Sequence, residues 1–146
     1  MKKDHLVFID QVIGPQRLRT VSAVGETFPL YCTANGKAYL AQLSDPAVEA
    51  LIGRTYKSRT PNTLTRLDAL LTDLKSARRN GVALDREEHT LGVCAAGVAM
   101  QDPLGNAVAI SVPVPTQRFP DRQTMIAERL LATKRALETH MNSAAA

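Results

Sequence analysis

The most constraining feature of the sequence is the run from Gly81 to Pro115, in which three consecutive segments have the composition of β-strands. The segments span about residues 82–88, 93–101 and 107–113. The last two are separated by Asp102-Pro103-Leu104-Gly105-Asn106. This spacer has turn composition, because proline presets one turn dihedral and Gly or Asn tolerates positive φ. We therefore expect the chain to be organised around a sheet made of these three strands.

Side chains alternate between the two faces of a strand, and alternation gives the faces of this sheet different sizes. One face is predicted to carry the Asp85 carboxylate and the Ser111 hydroxyl among small groups, which are Ala83, Val93, Ala95, Gly97, Ala99, Ala107 and Ala109. The opposite face is bulky and apolar, with Val82, Leu84, Val108, Ile110 and Val112. A sheet face with small side chains either accepts a closely packed helix or leaves a hollow for a ligand. Both alternatives are open at this point.

Length and composition indicate a single globular domain. The chain has 146 residues, 45% apolar content and only 4% aromatic content, so aliphatic and alanine packing must dominate the core. The net charge is +4, but the basic residues are dispersed and do not form the stripe that is typical of nucleic-acid binding. Cys32 and Cys94 do not make a disulfide framework and suit a reducing cytosol, so we expect a cytoplasmic protein. No apolar run approaches membrane-spanning length, and no membrane association is expected.

The remaining segments predict an N-terminal hairpin and four helices. Residues 6–9 and 17–24 read as the hairpin strands, and residues 28–32 as a linker. Helices are predicted at about residues 34–43, from Asp45-Pro46 to Gly53, from a capping-box-like Thr65-Arg66-Leu67-Asp68 to Asn80, and at residues 121–141. Residues 142–146 read as a frayed tail. This order implies an α/β (α+β) domain with a mainly antiparallel sheet covered by helices.

The start of the first predicted helix has the features of an anion site. Thr33 is a good N-cap residue, and Ala34, Ala38 and Ala41 share one face that lets the helix lie close to a neighbour. The N–H groups near Ala34 to Gly36 have no intrahelical acceptor, and the helix dipole favours negative charge there. The motif is unspecific, because every helix has such an end.

Four segments, in their order and spacing over residues 6–141, resemble the C-terminal effector-binding domain of IclR-type bacterial transcription regulators. The segments are Thr33-Ala34-Asn35-Gly36-Lys37-Ala38-Tyr39-Leu40-Ala41; Thr60-Pro61-Asn62-Thr63-Leu64; Gly81-Val82-Ala83-Leu84-Asp85-Arg86-Glu87-Glu88 with Gly92; and Ala109-Ile110-Ser111-Val112 with Pro115 and Arg118. The resemblance implies a GAF-like, profilin-like fold over residues 1–142 that binds a small organic acid and assembles into dimers or tetramers. It also implies an attached winged helix-turn-helix. No such domain precedes Leu6, so DNA binding is expected only through a domain that this chain lacks.

The resemblance also implies which residues form the pocket. They are the helix-start backbone of Ala34 and Asn35, the carboxylate of Asp85, the small strand position Ala95 beside Cys94, and Ser111. Cys94 stands one residue earlier than the cysteine often found in the family, so it either points to the opposite face or is restored by a bulge. Pro113 replaces a second serine and removes a hydroxyl and an N–H, which favours a less polar or aromatic acid. Candidates for the apolar wall are Leu30, Leu91, Val93 and Met100, the last of which shares the face of Cys94.

In the expected mechanism, the helix start and Ser111 take the carboxylate of the ligand, and Asp85 accepts a hydrogen bond from a ligand hydroxyl or hydrated carbonyl. Binding would close the helix over the sheet and favour one of two domain arrangements. The alternatives are that Asp85 caps local backbone N–H groups and that Ser111 is a small core residue bonded to backbone.

Two other function classes compete with a sensor. Asp85, His89 and Cys94 could be imagined as the acid, base and nucleophile of an enzyme, but His89 falls in a predicted turn, where we expect it to be solvated. With His5 and His140 these residues show no metal-ligand spacing, so no metal or other cofactor is expected. The third class is a pure oligomerisation module.

Overall fold

The structure is a computed structural model that describes residues 4–20 and 22–145. Its main sheet has three antiparallel strands in the order β3-β4-β5, which are β3 (Ala83–Arg86), β4 (Val93–Gln101) and β5 (Ala107–Pro115). A separate two-stranded sheet joins β1 (His5–Val7) to β2 (Thr27–Pro29). The helices are α1 (Ala34–Leu40), α2 (Asp45–Ile52), α3 (Leu67–Asn80) and α4 (Phe119–Ala145). The prediction of an antiparallel sheet covered by helices is confirmed.

The three central strands pair without a bulge. Asp85 on β3 lies opposite Ala95 on β4, which in turn lies opposite Pro113 on β5, and Gly97 lies opposite Ser111. β3 is shorter than predicted, because Glu87 adopts a positive φ of 58° and the chain turns away from β4 there. β5 continues two residues further than predicted, to Pro115.

The predicted difference between the two faces of the sheet is found in the packing. The bulky face packs against α4, in a cluster formed by Val82, Cys94, Ala96, Val98, Met100, Phe119, Ile126 and Leu130. The small face packs against α1, where Ala38 meets Ala83 and Ala99. α2 and α3 cover the outer side of α1 with a leucine-rich cluster that includes Leu40, Val48, Leu70 and Leu74. The sheet therefore lies between α4 and a layer that begins with α1.

Gly97 determines how closely α1 approaches the sheet. A Cβ atom at this position would lie 2.8 Å from the carbonyl carbon of Ala34 and 2.9 Å from the nitrogen of Asn35. Real Cβ atoms do not approach backbone so closely, so the first peptide of α1 rests on the sheet only because residue 97 has no side chain. Gly36 likewise allows α1 to lie close to the preceding loop, since a Cβ atom at this position would lie 2.4 Å from the carbonyl oxygen of Leu30.

The predicted N-terminal hairpin is wrong in its second strand. β1 pairs with β2, which falls in the segment predicted as a linker, whereas residues 17–20 and 22–24 form no strand. Val21 lies outside the described residues. The pairing is decided by contacts distant in sequence, because the rings of Phe8 and Phe28 meet at 4.9 Å. Gly25, with a φ of 89°, returns the chain and donates its N–H to the carbonyl oxygen of Phe8.

Several helix boundaries also differ from the prediction. α1 ends at Leu40, because the next turn is closed by bonds of the i to i−3 type from Gln42 and Leu43. The predicted capping box does not form, since Arg66 is the N-cap residue of α3 and makes no side-chain cap. α4 begins two residues before the predicted start and continues through residues 142–145, which were predicted to fray. Among the described residues, no helix is both long enough and apolar enough to cross a membrane.

Candidate ligand-binding site

A cavity of about 400 Å³ opens between the start of α1 and one end of the small sheet face. Its walls are formed by Phe8, Arg19, Thr20, Ser22, Glu26, Phe28, Thr33, Ala34, Asn35, Asp85, His89, Thr90, Val93, Ala95, Ser111 and Pro113. The small face thus does both things that the sequence left open, since it accepts a closely packed helix and also leaves a hollow. Around Gly97 and Ala99 it accepts α1, and around Val93 and Ala95 it borders a hollow.

Most of the predicted pocket residues are brought together in this cavity. Those that line it are Ala34, Asn35, Asp85, Val93, Ala95 and Ser111. They come from α1 and from all three strands of the main sheet, although they are spread over 78 positions of the sequence. Alternation along the strands places Asp85, Ala95 and Ser111 on the same face.

Four predicted residues do not line the cavity. Cys94 and Met100 are 5% and 2% exposed and pack in the α4 cluster, because the unbroken pairing of β4 leaves no bulge to turn Cys94 around. Leu30 is buried in the leucine-rich cluster beside α2 and α3. Leu91 is 59% exposed in the turn before β4. The expected places of these residues in the pocket wall are therefore corrected.

Sequence reasoning missed the part of the wall that comes from the N-terminal segment. Arg19, Thr20, Ser22 and Glu26 all line the cavity. The hydroxyl of Thr20 donates to the carbonyl oxygen of Pro113 at 3.2 Å, which ties this segment to the end of β5. The only sequence signal is the polar character of Thr20 and Ser22, within the segment that was predicted to be the second hairpin strand.

One end of the cavity is aromatic. The ring of Phe28 contacts both Phe8, at 4.9 Å, and His89, at 5.0 Å. His89 is half-buried and not fully solvated as expected from its turn position. Burial lowers the pKa of His89, and the Arg59 guanidinium lowers it further, so the imidazole is mainly neutral at pH 7. This end offers flat, mostly uncharged surfaces.

Asp85 is a buried carboxyl group on the cavity wall. It is 5% exposed, and its Oδ1 accepts a hydrogen bond from the N–H of Glu88 at 2.8 Å. Burial, together with the charge of Glu88, raises the pKa of Asp85 to about 7, although backbone donors and Lys37 oppose the shift. One oxygen of Asp85 therefore caps a local backbone N–H, as the alternative reading of the sequence expected, and the carboxyl group also borders the cavity.

Behind Asp85 lies a buried ion network that sequence reasoning missed. Lys37 is 0% exposed, and its Nζ donates to Asp73 on α3 at 2.8 Å and to Glu88 at 2.7 Å. Glu88 is 6% exposed, burial raises its pKa, and its Oε2 has no hydrogen-bond partner in the described part of the chain. The hydroxyls of Thr60 and Thr63 bond the carbonyls of the same turn, at 2.6 Å to Glu87 and 2.6 Å to Glu88 respectively. The turn after β3 is thus fixed to α1, α3 and the loop before α3.

The start of α1 and Ser111 bring hydrogen-bond donors to the cavity wall. The Oγ1 of Thr33 accepts the N–H of Gly36 at 3.2 Å, so one N–H of the first turn is capped. The N–H groups of Ala34 and Asn35 precede the helical hydrogen-bond ladder. Ser111 pairs with Gly97, which lies under the Ala34–Asn35 peptide, so its hydroxyl belongs to the same part of the wall. Within residues 4–20 and 22–145, no group of three or more His, Cys, Asp or Glu residues is arranged to hold a metal ion.

Comparison with known proteins agrees with this architecture. Residues 1–139 match the family model for the C-terminal domain of the bacterial transcriptional regulator IclR. The HTH-type transcriptional regulator Rv1719 of Mycobacterium tuberculosis is 49% identical over 129 residues, which are 88% of this chain and 50% of the relative. The IclR structure of Thermotoga maritima superimposes with a TM-score of 0.80 at 31% identity, covering 92% of this chain and 55% of that one.

A second similar structure contains a bound acid. It is a double mutant of the inducer-binding domain of PobR from Acinetobacter, in complex with 3-hydroxybenzoic acid. The TM-score is 0.69 at 25% identity, and the alignment covers 92% of this chain and 83% of that one. The chain spans about half the length of the curated relatives it matches. These relatives are transcriptional regulators and not enzymes. The chain belongs to the IclR C-terminal family, as an effector-binding domain of bacterial transcription regulators.

Proposed function

We propose that this domain senses a small organic acid, preferably an aromatic one, and thereby modulates DNA binding by a winged helix-turn-helix in the full-length regulator. The observation that carries the proposal is the cavity itself, whose wall contains both hydrogen-bond donors and aromatic rings. A cavity that is largely apolar and contains a few convergent polar groups is the usual form of a small-molecule site.

In the proposed complex, the carboxylate of the ligand contacts the Ser111 hydroxyl and the N–H groups of Ala34 and Asn35. These donors converge because Gly97 brings the start of α1 onto the sheet beside Ser111. Hydrogen bonds to an ionised group are stronger than those between neutral groups, which suits a carboxylate as the anchoring group.

Asp85 is proposed to bond a second polar group of the ligand, a hydroxyl or a hydrated carbonyl. Asp85 pairs with Ala95, which lies two residues from Gly97 along β4 and therefore on the same face of the sheet. Asp85 is thus one side-chain position away from the place proposed for the ligand carboxylate, next to Gly97. The stretch between them is lined by Ala95, whose small side chain leaves room for the body of the ligand.

The aromatic preference has three supports. Phe8 and Phe28 offer flat apolar surface, and stacked or edge-on aromatic contacts add about 0.5–1.5 kcal/mol beyond area burial. Pro113 lines the cavity without a hydroxyl or a backbone N–H, so this wall offers few polar partners. The PobR domain, which holds 3-hydroxybenzoic acid, supplies a similar protein with a ligand of this class.

Signal transmission is proposed to go through the position of α1. A ligand that bonds the N–H groups of Ala34 and Asn35 fixes the start of this helix relative to the sheet, and α1 also contacts α3 through Lys37 and Asp73. In the full-length protein, one arrangement of the effector domains in a homodimer or homotetramer would then be favoured over another.

A thermal-shift screen against aromatic and aliphatic carboxylic acids tests the proposal. A ligand that binds only the folded state stabilises it by RT ln(1 + [L]/Kd), which is about 2.7 kcal/mol at 100 times Kd. We expect aromatic hydroxy acids to raise the Tm most. Ser111→Ala should abolish most of the shift, whereas Ser143→Ala, on the exposed end of α4, should leave it unchanged.

Two outcomes would contradict the proposal. A flat response across the acid library would favour a pure oligomerisation module. A Tm shift that Ser111→Ala leaves intact would place the ligand elsewhere. In the full-length regulator, the same acid should change operator affinity in a gel-shift assay.

A further inference from the structure

The carboxyl groups around the cavity outnumber the cations that face them. Lys37 lies in a charged cluster, where its Nζ donates hydrogen bonds to Asp73 at 2.8 Å and to Glu88 at 2.7 Å. Asp85 joins this cluster through the N–H of Glu88, which bonds its Oδ1 at 2.8 Å. Asp73 and Glu88 thus bond this buried ammonium group, whereas Asp85 interacts with Lys37 only electrostatically. Oε2 of Glu88 has no partner among the described residues.

The other charged groups near Asp85 do not correct this imbalance. His89, on the same turn, is mainly neutral because burial lowers its pKa. Arg19 and Glu26 both line the cavity from the N-terminal segment, and their opposite charges offset each other. Arg59, in the loop before α3, is a further cation that lowers the pKa of His89, but it does not line the cavity and is not among the charges that shift the pKa of Asp85.

The remaining walls contribute no cation. Cys32, just before α1, does not line the cavity, and burial raises the pKa of its thiol to about 12, so the thiol stays neutral. The residues of β4 and β5 that border the cavity are Val93, Ala95, Ser111 and Pro113, none of which is charged. An entering carboxylate therefore adds a further negative charge to a site that already has too few positive ones.

Two ionised carboxyl groups in one buried site disfavour each other, and a proton shared with one of them removes the conflict. Asp85 is the group best placed to take this proton, since it alone among the three borders the cavity. Burial already raises the pKa of Asp85 to about 7, so protonation near neutral pH is easily reached.

We propose that the cavity binds its organic acid as a carboxylate together with one proton, and that Asp85 carries this proton in the complex. The inference rests on the proposed function, because it presupposes a carboxylate ligand. In the complex, the protonated Asp85 donates a hydrogen bond to an oxygen of the ligand. Binding therefore strengthens as the pH falls from 8 to 6, a range in which a benzoate-type carboxylate stays ionised.

The expected size follows from linkage. A ligand that requires protonated Asp85 binds about tenfold more weakly at pH 8 than at pH 6, and binding at pH 8 takes up about 0.9 proton. Asp85→Asn keeps a hydrogen-bond donor at the same place but cannot titrate. This variant should bind with a Kd that is the same at both pH values, and without proton uptake.

Isothermal titration calorimetry of the domain with benzoate, 3-hydroxybenzoate and phenylacetate measures both quantities. Titrations at pH 8 in phosphate and in Tris, whose ionisation enthalpies differ, give the number of protons taken up. Asp121→Asn, at an exposed position at the start of α4, is the matched control and should behave as the unaltered domain. Proton uptake and the pH dependence of Kd in the unaltered domain test proton-linked binding even if Asp85→Asn folds poorly.

The outcomes separate the two proposals. Saturable binding without proton uptake, or with equal affinity at pH 6 and pH 8, overturns the proton-linked site and leaves the sensor proposal standing. Proton uptake that persists in Asp85→Asn assigns the proton to another group and overturns the role of Asp85. Absence of saturable binding of all three acids at both pH values refutes the carboxylate ligand and the inference together.

Discussion

Replacing Lys37 by methionine tests the buried network behind the cavity. Methionine keeps an unbranched apolar stem of similar length, so the main change is the loss of the ammonium group. Asp73 is 30% exposed and can turn to water, but the side chain of Glu88 is only 8% exposed and loses its cation. The variant therefore leaves a buried carboxylate without compensation.

The cost can be estimated from the geometry. At 2.7 Å and an effective dielectric constant of about 20, the attraction between Lys37 and Glu88 is about 6 kcal/mol. Removing one partner of a buried pair typically costs about 3–5 kcal/mol, since the remaining group takes up a proton or some water. We expect Lys37→Met to lower the free energy of unfolding by about this amount at pH 8. The loss should be smaller at pH 5.5, because protonated Glu88 no longer needs the cation.

Urea denaturation followed by far-ultraviolet circular dichroism measures the effect. The matched control is Lys134→Met, which removes a pair with Glu138 at 3.9 Å whose side chains are 28% and 41% exposed, and should cost about 0–1 kcal/mol. The double variant Lys37→Met/Glu88→Gln should recover part of the loss, because it removes the stranded charge. If Lys37→Met costs no more than Lys134→Met at pH 8, the buried pair does not stabilise the domain and the reasoning is refuted.

Two further substitutions test the sheet and the cavity wall. Gly97→Ala should destabilise the domain by about 1–3 kcal/mol and weaken acid binding, because the new methyl group forces the first turn of α1 off the sheet. Gly14→Ala is its control, since a Cβ there meets only the end of the Gln16 side chain, at 2.9 Å; equal costs for both would contradict the close approach at position 97. Asp85→Asn should change the pH dependence of stability. A folded-state pKa of about 7, above the unfolded value, means that the unaltered domain loses stability as the pH rises through this range. Relative to the variant, the loss from pH 5 to pH 8 should be about 2–3 kcal/mol, and parallel stability profiles in urea would exclude the raised pKa.

The main sheet and its two faces could be predicted because strand alternation has a fixed period. The face of a residue such as Cys94 or Ser111 follows from its position in the strand alone, provided that the strand has no bulge. The same rule indicated that Cys94 and Met100 share a face, and the unbroken pairing of β4 put both in the α4 layer. The pocket positions that the family resemblance supplied fell on the other face.

The parts that could not be predicted depend on contacts between distant residues. Lys37 looks like an exposed helical lysine, and lysine is almost never fully buried unless it is paired. Its partners Asp73 and Glu88 are 36 and 51 positions away, so the sequence near Lys37 does not predict the pairing. The second strand of the N-terminal hairpin was misplaced for a similar reason, since ring contacts of Phe28 select the pairing.

The bare position at Gly97 has a consequence for how relatives of this domain could change their ligand. At that end the cavity is bounded by main-chain atoms of α1, which no rotamer change can move aside. Room for a bulkier molecule must therefore come from the parts of the wall that are made of side chains, such as Phe8, Phe28 and Arg19, which substitution can shorten. Changes of chemical preference are then expected at such side chains, while the main-chain wall at the start of α1 stays the same.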